Sequence, residues 1–382
     1  MHYAIVTETY PPEVNGVALT VQSMVGGLRQ RGHRVSVVRP RQSDCTSPDP
    51  EQTLVRGVAL PSYPGLRAGL PATGLLGRTW RRTRPDAIYI ATEGPLGWSA
   101  LRAARRLGMP AATGFHTRFD GYMRDYRLPW LEPVALGWMR RFHNSAAATV
   151  VPTRELQEQL ARLGFRHVRV ISRAVDTELF DPARRRQAVR DALAVPPGSP
   201  LVIHVGRLAA EKNLLLAVRA FRQLQSRRPE ARMVWVGDGP LRARLQRENP
   251  DCVFTGTLRG EALARQFASA DLFLFPSLSE TFGNVTLESM ASGVPVVTYD
   301  YGAAREHLRD GVHGAAIGCG DEAAFVAATV TLGSDMGRLR TMGRAAREAV
   351  LGLSQQQVAA DLDRLLEGLG TPENRHVDDA AA

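Results

Sequence analysis

Residues 276–295 read PSLSETFGNVTLESMASGVP and directly follow the apolar run Leu272–Phe275. The apolar run predicts a buried strand, Gly283 predicts a tight turn, and residues Asn284 to Ala291 predict a helix. The N-terminus of a helix carries free N–H groups and a partial positive charge, so it attracts phosphate groups. This stretch therefore predicts a strand–loop–helix unit with a phosphate site at its turn.

Two carboxylates flank this turn. Glu280 lies on the loop, and Glu288 lies about one helical turn inside the helix. Carboxylates suit phosphate poorly, but an ionised carboxylate accepts hydrogen bonds from vicinal hydroxyl groups. Phosphate together with diols describes a sugar nucleotide. The competing interpretation, a capping acid and an unrelated surface acid, accounts less well for two carboxylates around a glycine loop after a buried strand.

Short β-branched runs alternate with amphipathic stretches along the whole chain. Such alternation is typical of βαβ units, whose parallel sheets are covered by helices. It predicts an α/β protein with two Rossmann-like, doubly wound domains facing a central cleft, where the carboxyl ends of the strands meet. We expect a first domain at residues 1–172, a linker at 173–200 and a second domain at 201–354. Residues 355–369 predict a helix that packs back on the first domain, and residues 371–382 predict a disordered tail.

The charge of the chain is unevenly distributed. The net charge is +10, of which residues 1–172 carry +11 and residues 173–382 carry −1. A basic half suggests contact with an anionic surface such as a phospholipid membrane. The three widely spaced cysteines and the absence of a long apolar stretch predict a cytoplasmic protein, peripheral on the inner membrane face at most.

One lysine, Lys212, occurs among the 48 basic residues. A lysine kept in such an arginine-rich chain suggests a position that needs a compact ammonium group. Arg207 and Lys212 both follow the apolar run Leu201–Val205, which predicts the first strand of the second domain. There they can neutralise the charge that builds on a diphosphate leaving group. The competing interpretation is a surface pair that neutralises Glu211.

In the first half, Gly16 and His116 each follow a predicted strand. Gly16 opens a helix, where the missing side chain lets a phosphate approach the backbone. The loop before it lacks the G-x-G-x-x-G pattern, which argues against hydride transfer. His116 can contact substrate or act as a base, although a lone histidine is more often structural. Histidines and carboxylates lack metal-ligand spacing, so we expect no metal.

Two arginine-rich segments, Leu75–Arg84 and Trp138–Phe142, combine basic residues with leucine or tryptophan. That combination suits the surface of an anionic membrane. Helices whose leucine and tryptophan side chains pack inward are an equally good interpretation of either segment alone. The sequence contains no recognised nucleic-acid-binding module, so we expect no nucleic-acid partner.

Together these segments resemble the family-4 retaining glycosyltransferases of the two-domain GT-B architecture, over roughly residues 3–365. This group includes bacterial mannosyl-, glucosyl- and sulfoquinovosyl-transferases. Glu280 and Glu288 match the family's E-x7-E motif, and residues 206–212 match its G-R…E-K element. Residues 236–240 and 10–16 are similar to two further family elements. Residues 171–176 depart from the family's usual N-G-V-D, at a contact on the hinge side.

The resemblance implies a nucleoside diphosphate sugar as donor, either GDP-mannose or a UDP-hexose. It implies that Glu288 holds the ribose hydroxyls and that Arg207 and Lys212 hold the diphosphate. It implies that the sugar is held by Glu280 and by the backbone at Phe282, Gly283 and Asn284. Four further contacts to the donor are implied, from Gly16 to the diphosphate, from His116 to the sugar, and from Gly237 and Gly239 near the nucleotide.

By the same resemblance, the reaction transfers a hexose to a lipid or glycan acceptor with retention of configuration. No metal or other cofactor is implied, because the cationic side chains replace it. Two alternatives remain open. The first is a sugar-nucleotide 2-epimerase of the same architecture, and the second is a non-catalytic nucleotide-binding scaffold at the membrane. The complete set of Glu280, Glu288, Arg207 and Lys212 favours the transferase.

Overall fold

The computed structural model describes residues 1–11, 13, 16–41, 49–59, 67–116, 132–280 and 282–370. The chain divides into two compact units. The first comprises Met1–Arg173 together with the residues from Gln355 onward, and the second comprises Ala174–Ser354. The predicted tail, residues 371–382, lies outside the described residues.

The first unit is an α/β layer structure. In chain order its elements are β1 (His2–Val6), α1 (Gly16–Gln30), β2 (Arg34–Pro40), β3 (Gln52–Val55), β4 (Gly57–Ala59), β5 (Arg67–Gly69), α2 (Thr73–Arg82), β6 (Ala87–Ile90), α3 (Pro95–Arg106), β7 (Ala111–Gly114), α4 (Glu132–His143), β8 (Ala148–Val151), α5 (Arg154–Arg162) and β9 (Val168–Val170). A seven-stranded parallel sheet has the order β3-β2-β1-β6-β7-β8-β9, and β4 and β5 form a separate antiparallel pair. Central strands such as β6 are buried along their whole length, as expected when helices cover both faces.

The second unit repeats this architecture. Its elements are α6 (Gln187–Ala192), β10 (Leu201–Val205), α7 (Leu214–Arg227), β11 (Arg232–Val236), α8 (Arg242–Glu248), β12 (Val253–Gly256), α9 (Gly260–Ser269), β13 (Leu272–Phe275), α10 (Asn284–Ala291), β14 (Val296–Tyr299), α11 (Ala303–His307), β15 (Gly314–Ile317), α12 (Glu322–Gly333) and α13 (Met336–Val350). Its six parallel strands have the order β12-β11-β10-β13-β14-β15. The order reverses between β10 and β13, so the turns after these two strands lie next to each other at the carboxyl edge, where ligands bind in such sheets.

Residues 174–200, which the sequence predicts as part of a linker, are instead built into the second unit. Val175, Phe180, Leu193 and Val195 are buried in its core. Each large apolar side chain removed from water contributes roughly 1.5–3 kcal/mol, so these residues hold the segment against the sheet. The proline-rich turns of this stretch are therefore bends in a packed segment of the second unit, and not parts of a linker between the two units.

The last helix, α14 (Gln355–Gly370), belongs to the first unit and packs on α1. A Cβ atom on Gly27 would lie 2.4 Å from the Cβ atom of Ala359, so the two helices approach closely there. Asp363 is 2% exposed and accepts hydrogen bonds from Tyr3 (2.7 Å), Arg31 (2.8 Å) and His33 (2.9 Å). This buried carboxylate therefore binds α14 to β1 and to the turn after α1.

Candidate active site

The loop after β13 is held in place by side-chain and backbone hydrogen bonds. The Ser277 hydroxyl donates to Oε1 of Glu280 at 2.9 Å, and the Tyr301 hydroxyl donates to the Ser277 carbonyl at 2.7 Å. The backbone N–H of Leu278 donates to the carbonyl of Glu211 at 3.0 Å. The loop after β13 is therefore tied to the turn after β10, and Glu280 is fixed between them.

Lys212 ends a 3-10 turn, Ala210–Lys212, which leads through Asn213 into α7. Asn213 takes the left-handed conformation (φ 49°), which asparagine tolerates better than most residues. The Lys212 ammonium forms an ion pair with Glu280, and its Nζ lies 5.9 Å from the centroid of the Phe275 ring. The two paired side chains are only 14% and 18% exposed. The structure thus holds one ammonium and one carboxylate, partly shielded from water, at the carboxyl edge of the sheet.

Arg207 lies on the same turn but has a different carboxylate partner. Its Nη1 is 3.8 Å from Oε1 of Glu211, and its side chain is 56% exposed. An exposed pair at this distance contributes little to stability. Arg207 and Lys212 therefore do not share a partner in this structure, and the guanidinium is placed at the surface of the turn.

Glu288 lies one turn inside α10, whose N-cap is Gly283 in the left-handed region (φ 90°). Its carboxylate is partly buried and forms no hydrogen bond or ion pair within the described part of the chain. Burial raises the pKa of this carboxyl to about 7. A partly buried acid without a partner is a site for donors such as hydroxyl groups.

The backbone at the start of α10 is anchored to the neighbouring strand–helix turn. The buried residue Phe282 accepts a hydrogen bond at its carbonyl from the N–H of Ala303, at 2.7 Å. A Cβ atom on Gly302 would lie 2.6 Å from the same carbonyl. Asn284, the first residue of α10, is half-buried. The turn from Phe282 to Asn284 is thus rigidly placed beside Glu280.

Gly237 and Gly239 form the turn after β11, which packs directly on the turn after β10. A Cβ atom on Gly237 would lie 1.9 Å from the Gly206 carbonyl oxygen, and one on Gly239 would lie 2.5 Å from the Leu208 carbonyl oxygen. Both glycines also have positive φ (139° and 157°). Close backbone packing alone therefore requires glycine at both positions.

His116 follows β7 in the first unit, and it is 8% exposed. Nη2 of Arg173 donates to its Nδ1 at 2.8 Å, and its Nε2 lies 3.1 Å from the Tyr89 hydroxyl. A guanidinium can only donate, so Nδ1 is an acceptor and the proton of the neutral ring is on Nε2. Nε2–H therefore donates to the Tyr89 oxygen, and both ring nitrogens are engaged. Burial first, and then the charge of Arg173, hold the pKa of His116 well below its usual value.

Arg173 is a buried charged residue with polar neighbours. It is 6% exposed, and the same guanidinium that bonds to His116 also donates to the Thr20 hydroxyl. Burial lowers the pKa of Arg173 to about 10, which still leaves it protonated near neutral pH. Both of these partners are neutral, so the positive charge at the carboxyl edge of the first sheet favours a nearby anion.

Comparison with known proteins identifies the family of this chain. The family model "Glycosyl transferases group 1" matches residues 199–335, and "Glycosyltransferase Family 4" matches residues 14–179. A GDP-mannose-dependent alpha-mannosyltransferase of Mycolicibacterium smegmatis is 35% identical over 372 residues, covering 95% of this chain and 96% of the relative. The chain belongs to the group 1 glycosyltransferases.

A second relative supports the family assignment, and a solved structure supports the fold. A GDP-mannose-dependent alpha-(1-6)-phosphatidylinositol dimannoside mannosyltransferase of Mycobacterium tuberculosis is 31% identical over 78% of this chain and 79% of its own. The solved structure of a sucrose-phosphate synthase from Thermosynechococcus elongatus superposes with a TM-score of 0.79, at 20% identity, over 96% of this chain and 98% of that one. The likeness in structure concerns the fold, and it confirms the predicted GT-B class.

In this glycosyltransferase, the fold brings only some of the predicted site residues into contact with one another. Lys212 contacts Glu280 and Arg207 contacts Glu211, whereas the Glu288 carboxylate has no partner in the part of the chain that the structure describes. Gly16 opens α1 of the first unit, as predicted. Sequence reasoning missed Ser277, Tyr301, Tyr89 and Arg173, which hold the predicted residues in place. The departure from N-G-V-D at residues 171–176, which include Arg173, was the signal that the sequence offered.

The two arginine-rich segments of the glycosyltransferase differ in the exposure of their apolar side chains. In α2, Leu76 and Trp80 are fully buried, so the inward-packing interpretation describes them. In α4, Val134 is 67% and Trp138 is 44% exposed, beside the exposed Arg141. Among the described residues, no helix combines the length and apolar character that crossing a bilayer requires.

One group of side chains in the described residues has metal-like spacing. Ligand atoms of His33, Asp363 and Glu367 lie within 4.8 Å of one another. Asp363 already accepts hydrogen bonds from Tyr3, Arg31 and His33 itself. These contacts account for the group as the attachment of α14, far in sequence from the E-x7-E motif.

Proposed function

We propose that this glycosyltransferase is a retaining, metal-independent hexosyltransferase that moves mannose from GDP-mannose to a lipid or glycan acceptor. The observation that carries the proposal is the Lys212–Glu280 pair at the carboxyl edge of the second sheet, together with Glu288 on the helix that follows the same loop, whose carboxylate has no partner among the described residues. A cation, a hydroxyl-binding acid and a rigid glycine turn at one edge are the groups that a nucleoside diphosphate sugar needs.

The choice of GDP-mannose is supported by relatives of similar length. The mannosyltransferases of M. smegmatis and M. tuberculosis named above are both GDP-mannose-dependent, and each is more than 30% identical to this chain. A UDP-hexose remains the alternative donor. The M. tuberculosis protein acts on a phosphatidylinositol dimannoside, which supports a lipid-linked acceptor here.

In the proposed mechanism, Glu288 accepts hydrogen bonds from the ribose diol and Glu280 from the sugar. The Lys212 ammonium, with Arg207, balances the negative charge that develops on the departing diphosphate. The acceptor hydroxyl attacks the anomeric carbon from the face that the diphosphate leaves. The bond from the anomeric carbon to the phosphate oxygen breaks as the bond to the acceptor oxygen forms. The acceptor proton moves to the departing phosphate oxygen, so no metal or protein base is required.

The proposed location is the cytoplasmic face of the membrane, with peripheral attachment through the first unit. Residues 1–172 carry +11, and α4 exposes Val134 and Trp138 next to Arg141. Exposed apolar side chains among arginines favour the surface of an anionic bilayer.

A panel of nucleotide sugars tests the proposed function. The protein is incubated with GDP-mannose, UDP-glucose and UDP-galactose, with and without a membrane lipid extract and with and without EDTA, and released nucleoside diphosphate is measured. Release of GDP that depends on the extract and persists in EDTA is expected. Isomerisation of the sugar nucleotide without release would identify the epimerase, and binding without either reaction would identify the scaffold. Loss of release in EDTA would contradict metal independence.

A further inference from the structure

A basic cavity lies at the outer end of the first sheet, away from the residues discussed above. Pro40 and Val55 are register partners at the ends of β2 and β3, and the N–H of Arg41 donates to the Val55 carbonyl at 2.9 Å. Arg41 and Arg56, the residues directly after the two strands, therefore leave the sheet side by side. Their backbones are fixed by the sheet, while their side chains are exposed.

A third arginine reaches the same place from the β4–β5 pair. Nη2 of Arg67 donates to the Gly57 carbonyl at 2.8 Å. Its Nε is buried and has no hydrogen-bond partner among the described residues. Buried donors are nearly always satisfied in native proteins, so an unsatisfied one at a cavity indicates a missing acceptor.

The cavity has a volume of about 550 Å³. Its lining combines the three arginines Arg41, Arg56 and Arg67 with the apolar side chains of Leu54, Val55 and Leu70. None of the described residues that line it is a carboxylate, and none of the three arginines forms an ion pair with another described residue. Three like charges repel one another around this space, so an anion that enters it is attracted to all three.

The chemistry of the lining identifies the class of ligand. Arginine forks match the oxygens of phosphate, because a planar guanidinium can bind two of them at once. Leu70, which lines the cavity, is 39% exposed to solvent, and the nearby Val58 is 49% exposed. We infer that this cavity binds a phosphate ester of an aliphatic alcohol, with the phosphate against the arginines and the aliphatic part against Leu54 and Leu70. The inference concerns binding alone, and it stands whether or not the proposed sugar transfer is correct.

Two sources of such a ligand are separated by two binding measurements on the full chain. Soluble glycerol phosphate is titrated by calorimetry, and phosphatidylcholine vesicles with or without phosphatidic acid are tested by flotation. The pocket variant is Arg41→Gln/Arg56→Gln, because neither arginine side chain forms a hydrogen bond with another described residue. The matched control is Arg102→Gln/Arg105→Gln on α3, which removes the same charge from two exposed positions of the same unit.

The pocket variant is expected to bind about 30-fold more weakly than the unchanged protein, as two arginines near an anionic group imply, and the control only a few-fold more weakly. Loss seen with glycerol phosphate supports a soluble ligand, and loss seen only with phosphatidic acid vesicles supports a lipid headgroup. Equal losses in the pocket and control variants, or no binding of either probe to the unchanged protein, would overturn the inference.

Discussion

Replacement of Lys212 tests whether the sheet edge needs an ammonium group. The side chain is 14% exposed and lies between Glu280 and the ring of Phe275. Removing one preorganised charge from a developing oxyanion typically lowers turnover by roughly 10²–10³-fold, or about 2.7–4 kcal/mol. We expect a loss of this size for Lys212→Met. Lys212→Arg should lose at least about tenfold, or about 1.4 kcal/mol, because the planar guanidinium is wider and spreads its charge.

The same substitution has a separate effect on stability. Lys212→Met leaves the partly buried Glu280 with the Ser277 hydroxyl but without its counter-ion, which costs about 1–3 kcal/mol. For a unit of this size, each kcal/mol lowers Tm by roughly 2–4 °C. Adding Glu280→Gln removes the unpaired charge, so the double variant should recover Tm but not turnover.

The assay measures kcat from released GDP, Kd for GDP by calorimetry, and Tm by thermal unfolding. We expect a large fall in kcat for Lys212→Met with little change in Kd. Two outcomes would refute the reasoning. Unchanged turnover in Lys212→Arg would show that this position does not require an ammonium group. Recovery of turnover in the double variant would show that Lys212 only neutralises Glu280 and that the Glu280 carboxylate is not needed to bind the sugar.

Four further predictions concern three single residues. Burial raises the pKa of Glu288 from 4.5 to about 7, so its protonated form dominates below pH 7. The affinity for GDP should therefore weaken as the pH falls from 8 to 6. The affinity of the Glu288→Gln variant should show little pH dependence. The same shift favours the protonated folded state, so the ligand-free protein should lose stability as the pH rises from about 4.5 through 7, and a flat profile would contradict the assignment. Arg173→Met should release Nδ1 of His116 and allow both neutral tautomers, which imidazole ¹⁵N chemical shifts report; a ring locked in one tautomer would argue against the role of Arg173. Gly237→Ala should lower the free energy of unfolding by about 3 kcal/mol or more, because the added Cβ atom would overlap the Gly206 carbonyl. Gly318→Ala is the control: no atom lies within 4 Å of the added Cβ, so Tm should be nearly unchanged.

The strong local patterns of the sequence were sufficient to place the central elements. Strands Leu201–Val205 and Leu272–Phe275 and the helix Asn284–Ala291 lie where the sequence predicts them. Their apolar runs are short, continuous and bounded by glycine or polar turns, so burial and chain geometry favour one structure. The GT-B class followed from their alternation and from the E-x7-E resemblance.

The contacts between these elements were not predictable from local patterns. Lys212 and Glu280 are 68 residues apart, and they meet because β10 and β13 are neighbours in the sheet. Strand order depends on packing of the whole domain, which periodicity does not report. The buried Arg173 and the packed segment at 174–200 were missed for a related reason, since charges and prolines usually indicate exposed chain.

The attachment of α14 has a consequence for how the chain is synthesised. Tyr3 and its partner Asp363 are separated by 360 positions, so the first unit lacks α14 until the whole second unit has been synthesised. Ala174–Ser354, by contrast, is continuous, and it leaves the ribosome before α14. The second unit can therefore complete its fold before α14 is available, and the α14 side of α1 stays uncovered until then.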